Sequence, residues 1–124
     1  MRFGWTAVMC VALSTLACAG DSPTAPTVDS TNVVTITASG ASPLTIQIRV
    51  GERVLFINND SVVHHMSSDE HPSHLGCPAM NQVGSLSPGQ SRETGNFVTA
   101  ETCTYHHHRD ALNPGLFGSI VIVE

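Results

Sequence analysis

Apolar and polar positions along the chain alternate in short runs with a two-residue period, separated by turn signals. VVTITA, residues 33–38, alternates and is rich in β-branched side chains. In LTIQIRV, residues 44–50, Leu44, Ile46, Ile48 and Val50 share one face, while Thr45, Gln47 and Arg49 share the other. Gly51-Glu52 makes a turn, and RVLFIN, residues 53–58, supplies the next strand. Farther on, the Pro88-Gly89 turn within LSPGQSRETGNF leads to a strand near Phe97, and TCTYHH (102–107) and GSIVIVE (118–124) close the chain. No stretch of useful length carries a helical period. Many short strands at this spacing predict an all-β sandwich or barrel. From Asn59 to Val83 the alternation dissolves into a loop rich in histidine, serine and proline. Loops that long inside a compact domain are functional or disordered.

The first residues follow other rules. Met1-Arg2 is a short basic start, and Phe3 to Ala17 is an apolar, small-residue run of signal-peptide length, too short to span a membrane. Leu16-Ala17-Cys18 resembles the end of a bacterial lipobox, with Cys18 as the lipidated residue, although Thr15 stands where such boxes carry Leu, Val or Ile. Ordinary cleavage near Ala17 or Ala19 is the alternative. Residues 19–32, AGDSPTAPTVDSTN, hold Val28 as their one large apolar side chain, so they predict a disordered tether. The expected division is therefore a leader over 1–18, a tether over 19–32 and one folded domain over 33–124. Such a chain is exported to the periplasmic or cell-envelope side and touches the membrane only through its lipid.

Composition narrows the classes further. The chain has a formal net charge of −5 and no lysine, so it lacks the basic footprint that nucleic acid requires. Of its four cysteines, Cys10 lies in the leader and Cys18 at the processing site, which leaves Cys77 and Cys103. In an exported domain such a pair reads first as a disulfide.

Four segments in order resemble the cupredoxin family. IQIRVGERVLFINND resembles its first hairpin, with Val50, Gly51, Glu52, Val54, Phe56, Asn58 and Asp60 in place. His64, just beyond Asn58-Asn59-Asp60, matches the first copper-binding histidine. LSPGQS is similar to the turn before the penultimate strands, and TCTYHH with LFGSIVIVE resembles the last two strands around the ligand loop. The resemblance implies a Greek-key β-sandwich or barrel of the cupredoxin type over residues 33–124.

Two registers place the metal ligands differently. A blue-copper site needs two imidazoles, a thiolate and a weak axial thioether. In one register Cys103 is the thiolate and pairs with His106. In the other, His107 stands at the cysteine position and Leu116 at that of the axial methionine, with Cys103 left inside the strand for a disulfide with Cys77. Spacing to Gly118 favours the second register, which needs no insertion.

All seven histidines fall between His64 and His108. HHMSSDEHPSH carries His64, His65, His71 and His74; the strand end carries His106, His107 and His108. The fold implied by the resemblance brings the two groups to one pole, where a metal centre is the economical explanation. His64 leads the candidate ligands by family position. His106 and His108 follow, because alternate residues of a strand share a face, then His71 and His74, with His65 and His107 behind them. Parity also turns His107 inward with Tyr105, and the two arguments conflict unless the strand ends by His106. Asp69, Glu70 and Met66 are placed to complete or tune the site.

Imidazole-rich sites without thiolate suit Cu(II), Zn(II) or Ni(II), and the Irving–Williams order favours copper, with zinc as the alternative. Met66 and Met80 would also tolerate Cu(I). No general base or substrate pocket is recognisable, so the expectation is a metal-binding protein and not an enzyme. Its role would be copper handling or electron transfer, with a redox or copper-handling protein as partner. The competing reading is a structural or interaction sandwich without redox activity.

Overall fold

The computed structural model describes residues 31–124; the leader, Cys18 and nearly all of the tether lie outside the described residues. Nine strands form two sheets: β1 (Val33–Thr37), β2 (Gly40–Ser42), β3 (Thr45–Arg49), β4 (Leu55–Asn58), β5 (His64–Ser68), β6 (Gly84–Leu86), β7 (Ser91–Glu93), β8 (Thr102–His107) and β9 (Gly118–Val123). One sheet runs β2-β1-β4-β7 and the other β3-β9-β8-β5-β6. β1 lies parallel to β4 and β3 parallel to β9, while the remaining neighbours are antiparallel.

Each sheet turns its apolar alternate residues inward. Val34, Ile36 and Phe56 from the first sheet meet Ile46, Ile48, Met66, Tyr105, Ile120 and Ile122 from the second in one buried core. Across the interface the Phe56 and Tyr105 rings pack edge-on with centroids 5.2 Å apart. Tyr105 crosses to β9 opposite Gly118, where a Cβ would strike the Tyr105 ring and the Leu44 carbonyl. Glycine is required there by close approach. Burial pushes the Tyr105 hydroxyl up to about 12, so it stays protonated. The described chain is tied in from Asn32, whose carbonyl accepts from Leu55 N at 2.9 Å.

The alternating segments fall where their pattern places them, with β8 and β9 spanning nearly the expected residues. Leu44 and Val50, expected on the inner face, stand exposed because they flank β3 beyond its paired residues. Phe97 is buried but sits in an extended loop, and β7 precedes it at Ser91–Glu93. The larger correction concerns Asn59 to Val83, which is not a continuous loop. It contains β5, whose inward positions carry His64, Met66 and Ser68, and two polar residues out of three erased the apolar alternation. Met66 and Met80 are fully buried core side chains.

Cys77 and Cys103 form the disulfide, with Cα atoms 5.7 Å apart. It joins the segment after the histidine loop to the start of β8. That bond removes the register in which Cys103 is a copper thiolate.

Candidate metal centre

β8 divides the histidines by parity. His107 continues the inward row of Cys103 and Tyr105, whereas His106 lies on the opposite face and is covered by the loop that follows β5. The strand runs on through His107, so the two parity arguments describe two different groups of imidazoles.

The first group is His71, His74, His106 and His108. One nitrogen from each lies within 4.8 Å of the others. Ring centroids of His74 stand 5.1 Å from His106, 4.9 Å from His108 and 5.3 Å from His71. Metal–nitrogen bonds of about 2.0 Å put adjacent ligand nitrogens roughly 2.8–3.3 Å apart and opposed ones roughly 4.0 Å apart, so small side-chain movements close this set on one ion.

Hydrogen bonds set the tautomers in the way a metal ligand needs. The Ser68 carbonyl can only accept, so His74 Nδ1, 2.7 Å away, carries the hydrogen and Nε2 keeps its lone pair. His106 Nδ1 donates to Asp69 Oδ1 at 2.6 Å, which leaves His106 Nε2 with its lone pair, buried and without a partner. A carboxylate behind a ligating imidazole is the arrangement that orients it and raises its basicity. His108 Nδ1 faces His74 Nε2 at 2.9 Å, a separation that suits either a shared proton or two neighbouring ligands of one cation.

The loop that supplies His71 and His74 is folded by residues the sequence pattern does not single out. Asn81 accepts from Ser68 N at 2.8 Å and donates to the His74 carbonyl at 2.7 Å, and Ser68 Oγ donates to the same carbonyl at 3.0 Å. Gly76 N donates to the Asp69 carbonyl at 2.9 Å, and a Cβ on Gly76 would strike that carbonyl. His74 itself holds φ 52, a left-handed conformation unusual for a residue with a side chain, and such conformations persist where the surroundings over-determine them. Glu70 contributes its carbonyl, which accepts from His74 N at 2.6 Å.

The second group is His64 and His107, with ring centroids 5.1 Å apart and both rings buried. Asn58 sets up their approach. Its amide donates to the Val62 and Leu86 carbonyls at 2.8 and 2.9 Å, and its oxygen accepts from Asp60 N at 2.9 Å. Asp60 Oδ2 in turn lies 2.9 Å from His64 Nε2. The His64 ring and the Ser61 backbone N–H hold the Asp60 carboxyl below the usual carboxylate range. His64, placed first by family position, thus faces His107 and not the four-imidazole group. His65 stands between the groups, its ring 5.2 Å from His108 and its Nδ1 2.7 Å from Ser85 Oγ. Leu116 lines the cavity beside His64 and His107.

Three imidazoles are held below their ordinary range. Burial does this first for His65, His107 and His108; Arg109 also acts on His65 and His107, and neighbouring histidines act on all three. The unfolded chain therefore binds more protons than the folded one once pH falls below the ordinary imidazole value. Stability of the metal-free domain should be full above about pH 6.5 and should decline as pH falls from there through the folded values. Urea unfolding at pH 7.5 and pH 5 checks this; a midpoint that rises on acidification contradicts it.

No family model matches the sequence, and no curated protein resembles it closely enough to match. Solved structures do match in shape. A purple cupredoxin from Nitrosopumilus maritimus superposes with a TM-score of 0.57 at 24% identity, covering 73% of this chain and 98% of its own. An oxidised methionine-to-leucine mutant of amicyanin gives 0.58 at 19% identity, covering 79% and 87%. The Cu-containing nitrite reductase from Thermus scotoductus SA-01 gives 0.58 at 19% identity, over 74% of this chain and 22% of that one. The described residues form a cupredoxin-like domain. A blue-copper donor set does not fit it: both cysteines of the domain are in the disulfide, and Leu116 offers no thioether.

Proposed function

We propose that this protein is an exported copper-binding cupredoxin-like protein, held at the cell envelope by lipid on Cys18. In this reading His71, His74, His106 and His108 hold the ion. The observation that carries it is the four-imidazole group itself, with Asp69 and the Ser68 carbonyl fixing two tautomers so that lone pairs face inward. Copper is favoured over zinc by the Irving–Williams order and by the solved neighbours, among them a Cu(I) form of an amicyanin mutant. Copper handling is the role we assign first, since no thiolate tunes the site, with electron transfer to a partner protein second. When bound, the ion supplies a Lewis-acidic or one-electron centre. The chain itself supplies neutral imidazoles, a carboxylate that orients one of them, and a loop braced by Asn81.

Isothermal titration with Cu(II) tests the reading. Changing His106→Ala together with His108→Ala should weaken binding by more than the roughly 10–100-fold that outer partners control. Adding His71→Ala and His74→Ala should cost far less than the sum of the separate losses, because ligands of one ion act as a unit. Undiminished affinity in the first variant refutes the assignment.

A further inference from the structure

The four imidazoles of the metal centre are not held alike. His106 is buried, His74 and His108 are half-buried, and His71 is exposed. Hydrogen bonds tie down three of them. His106 lies in β8, paired with Ser67 of β5, and its Nδ1 donates to Asp69. His74 Nδ1 donates to the Ser68 carbonyl, while the His74 carbonyl accepts from Ser68 Oγ and from the Asn81 amide. His108 N donates to the His65 carbonyl at 2.7 Å, and His108 Nδ1 faces His74 Nε2. Among the described residues, none donates to the His71 ring or accepts from it. That ring meets the group through ring contacts alone, its centroid 5.3 Å from His74, 5.6 Å from His106 and 5.3 Å from His108. Its chain neighbours Glu70, Pro72 and Ser73 are exposed as well.

A ligating imidazole owes part of its strength to a partner on its other nitrogen, which fixes the ring and raises its basicity; such a partner is worth about 10–100-fold in metal affinity. His71 has no such partner, and ordering an exposed ring on an ion costs rotamer entropy. Three anchored ligands with one replaceable one match the open class of metal site, whose fourth position exchanges, and not the closed class. We propose that His71 is the exchange ligand of this centre, the position at which a partner protein presenting an exposed imidazole enters during copper transfer. This rests on the reading that the four imidazoles hold copper. In the exchange the copper–nitrogen bond to His71 breaks and one to the partner's imidazole forms. Both donors are neutral, so no proton moves and the oxidation state does not change. His74, His106 and His108 stay bound until the incoming donor is in place.

Free imidazole stands in for the partner's side chain, and Cu(II) titration together with electron paramagnetic resonance reads the result. The affinity lost in His71→Ala should be about 10–100-fold smaller than that lost in His106→Ala, where a braced ligand is removed. Compared at equal imidazole concentration, His71→Ala should regain the affinity and the nitrogen splitting of the wild type. His106→Ala should regain neither, because its place lies under the loop. Equal losses in the two variants, or rescue of both or of neither, overturn the proposal and leave the four-imidazole reading standing. So does a His71→Ala variant that matches the wild type without imidazole. Undiminished affinity in His106→Ala with His108→Ala removes the four-imidazole reading and the exchange with it. Metal-free His71→Ala should melt with the wild type, since an exposed ring without a hydrogen bond contributes little to folding. A clearly lower melting temperature would make His71 a brace of the loop and also overturns the proposal. If His106→Ala does not fold, His106→Gln, which keeps a donor for Asp69, takes its place in the comparison.

Discussion

Replacing Cys77 and Cys103 together by alanine is expected to lower the stability of the metal-free domain by about 3.5 kcal/mol. The bond closes 26 residues of chain, and the entropy released to the unfolded state by opening a loop of that size gives this figure in the chain-entropy model. Both cysteines are buried against the core, so the lost sulfur packing adds to the effect. For a domain under 100 residues, each kcal/mol shifts the melting temperature by about 4–8 °C, so a fall of roughly 15–25 °C should appear in calorimetry. Copper binding should weaken in the same variant. The bond fixes the chain just after the histidine loop to the strand that carries His106 and leads into His108, so the loop that presents His71 and His74 is closed by the sulfur bridge as well as by its own hydrogen bonds. A shift of only a few degrees would mean that Asn81 and Gly76 hold the loop without help from the disulfide.

Where strands bury apolar residues on alternate positions, the sequence alone shows them: VVTITA, LTIQIRV, RVLFIN, TCTYHH and GSIVIVE contain β1, β3, β4, β8 and β9. Elements whose inner face is polar escape the same reading. β5 is one, since His64 and Ser68 are buried by hydrogen bonds and ring contacts and not by hydrophobicity. β2 and β6 are three residues each and depend on neighbours to define them. For the site, strand parity separates His106 and His108 from His107, a local property of an extended chain. The four-membered group additionally requires the loop at 69–76 to fold back over β8. That course is set by Asn81, Ser68 and a close glycine contact, which bring residues distant in sequence together, and no period in the chain encodes it. The approach of His64 to His107 likewise depends on Asn58, whose buried amide reaches both Val62 and Leu86.

Asp69→Asn should reduce Cu(II) affinity about 10–100-fold while leaving the fold and the ligand set intact. Asp69 offers no bond to the ion in the proposed arrangement; its carboxylate receives the Nδ1–H of His106 at 2.6 Å. Asparagine keeps an oxygen in the same place, so the tautomer that leaves Nε2 free is preserved, and with it the orientation of the ring. The negative charge is what disappears, and with it the extra basicity that a charge-assisted hydrogen bond lends the ligand. The nitrogen splitting in the electron paramagnetic resonance spectrum of the Cu(II) form should therefore persist, while the titrated dissociation constant rises. Asp69→Ala should lose more, because the ring is then free to turn and the buried His106 loses its one fixed partner. The ordering wild type, Asp69→Asn, Asp69→Ala separates an orienting carboxylate from a structural one: a loop brace alone would affect stability in both variants and leave the affinity of the folded protein unchanged.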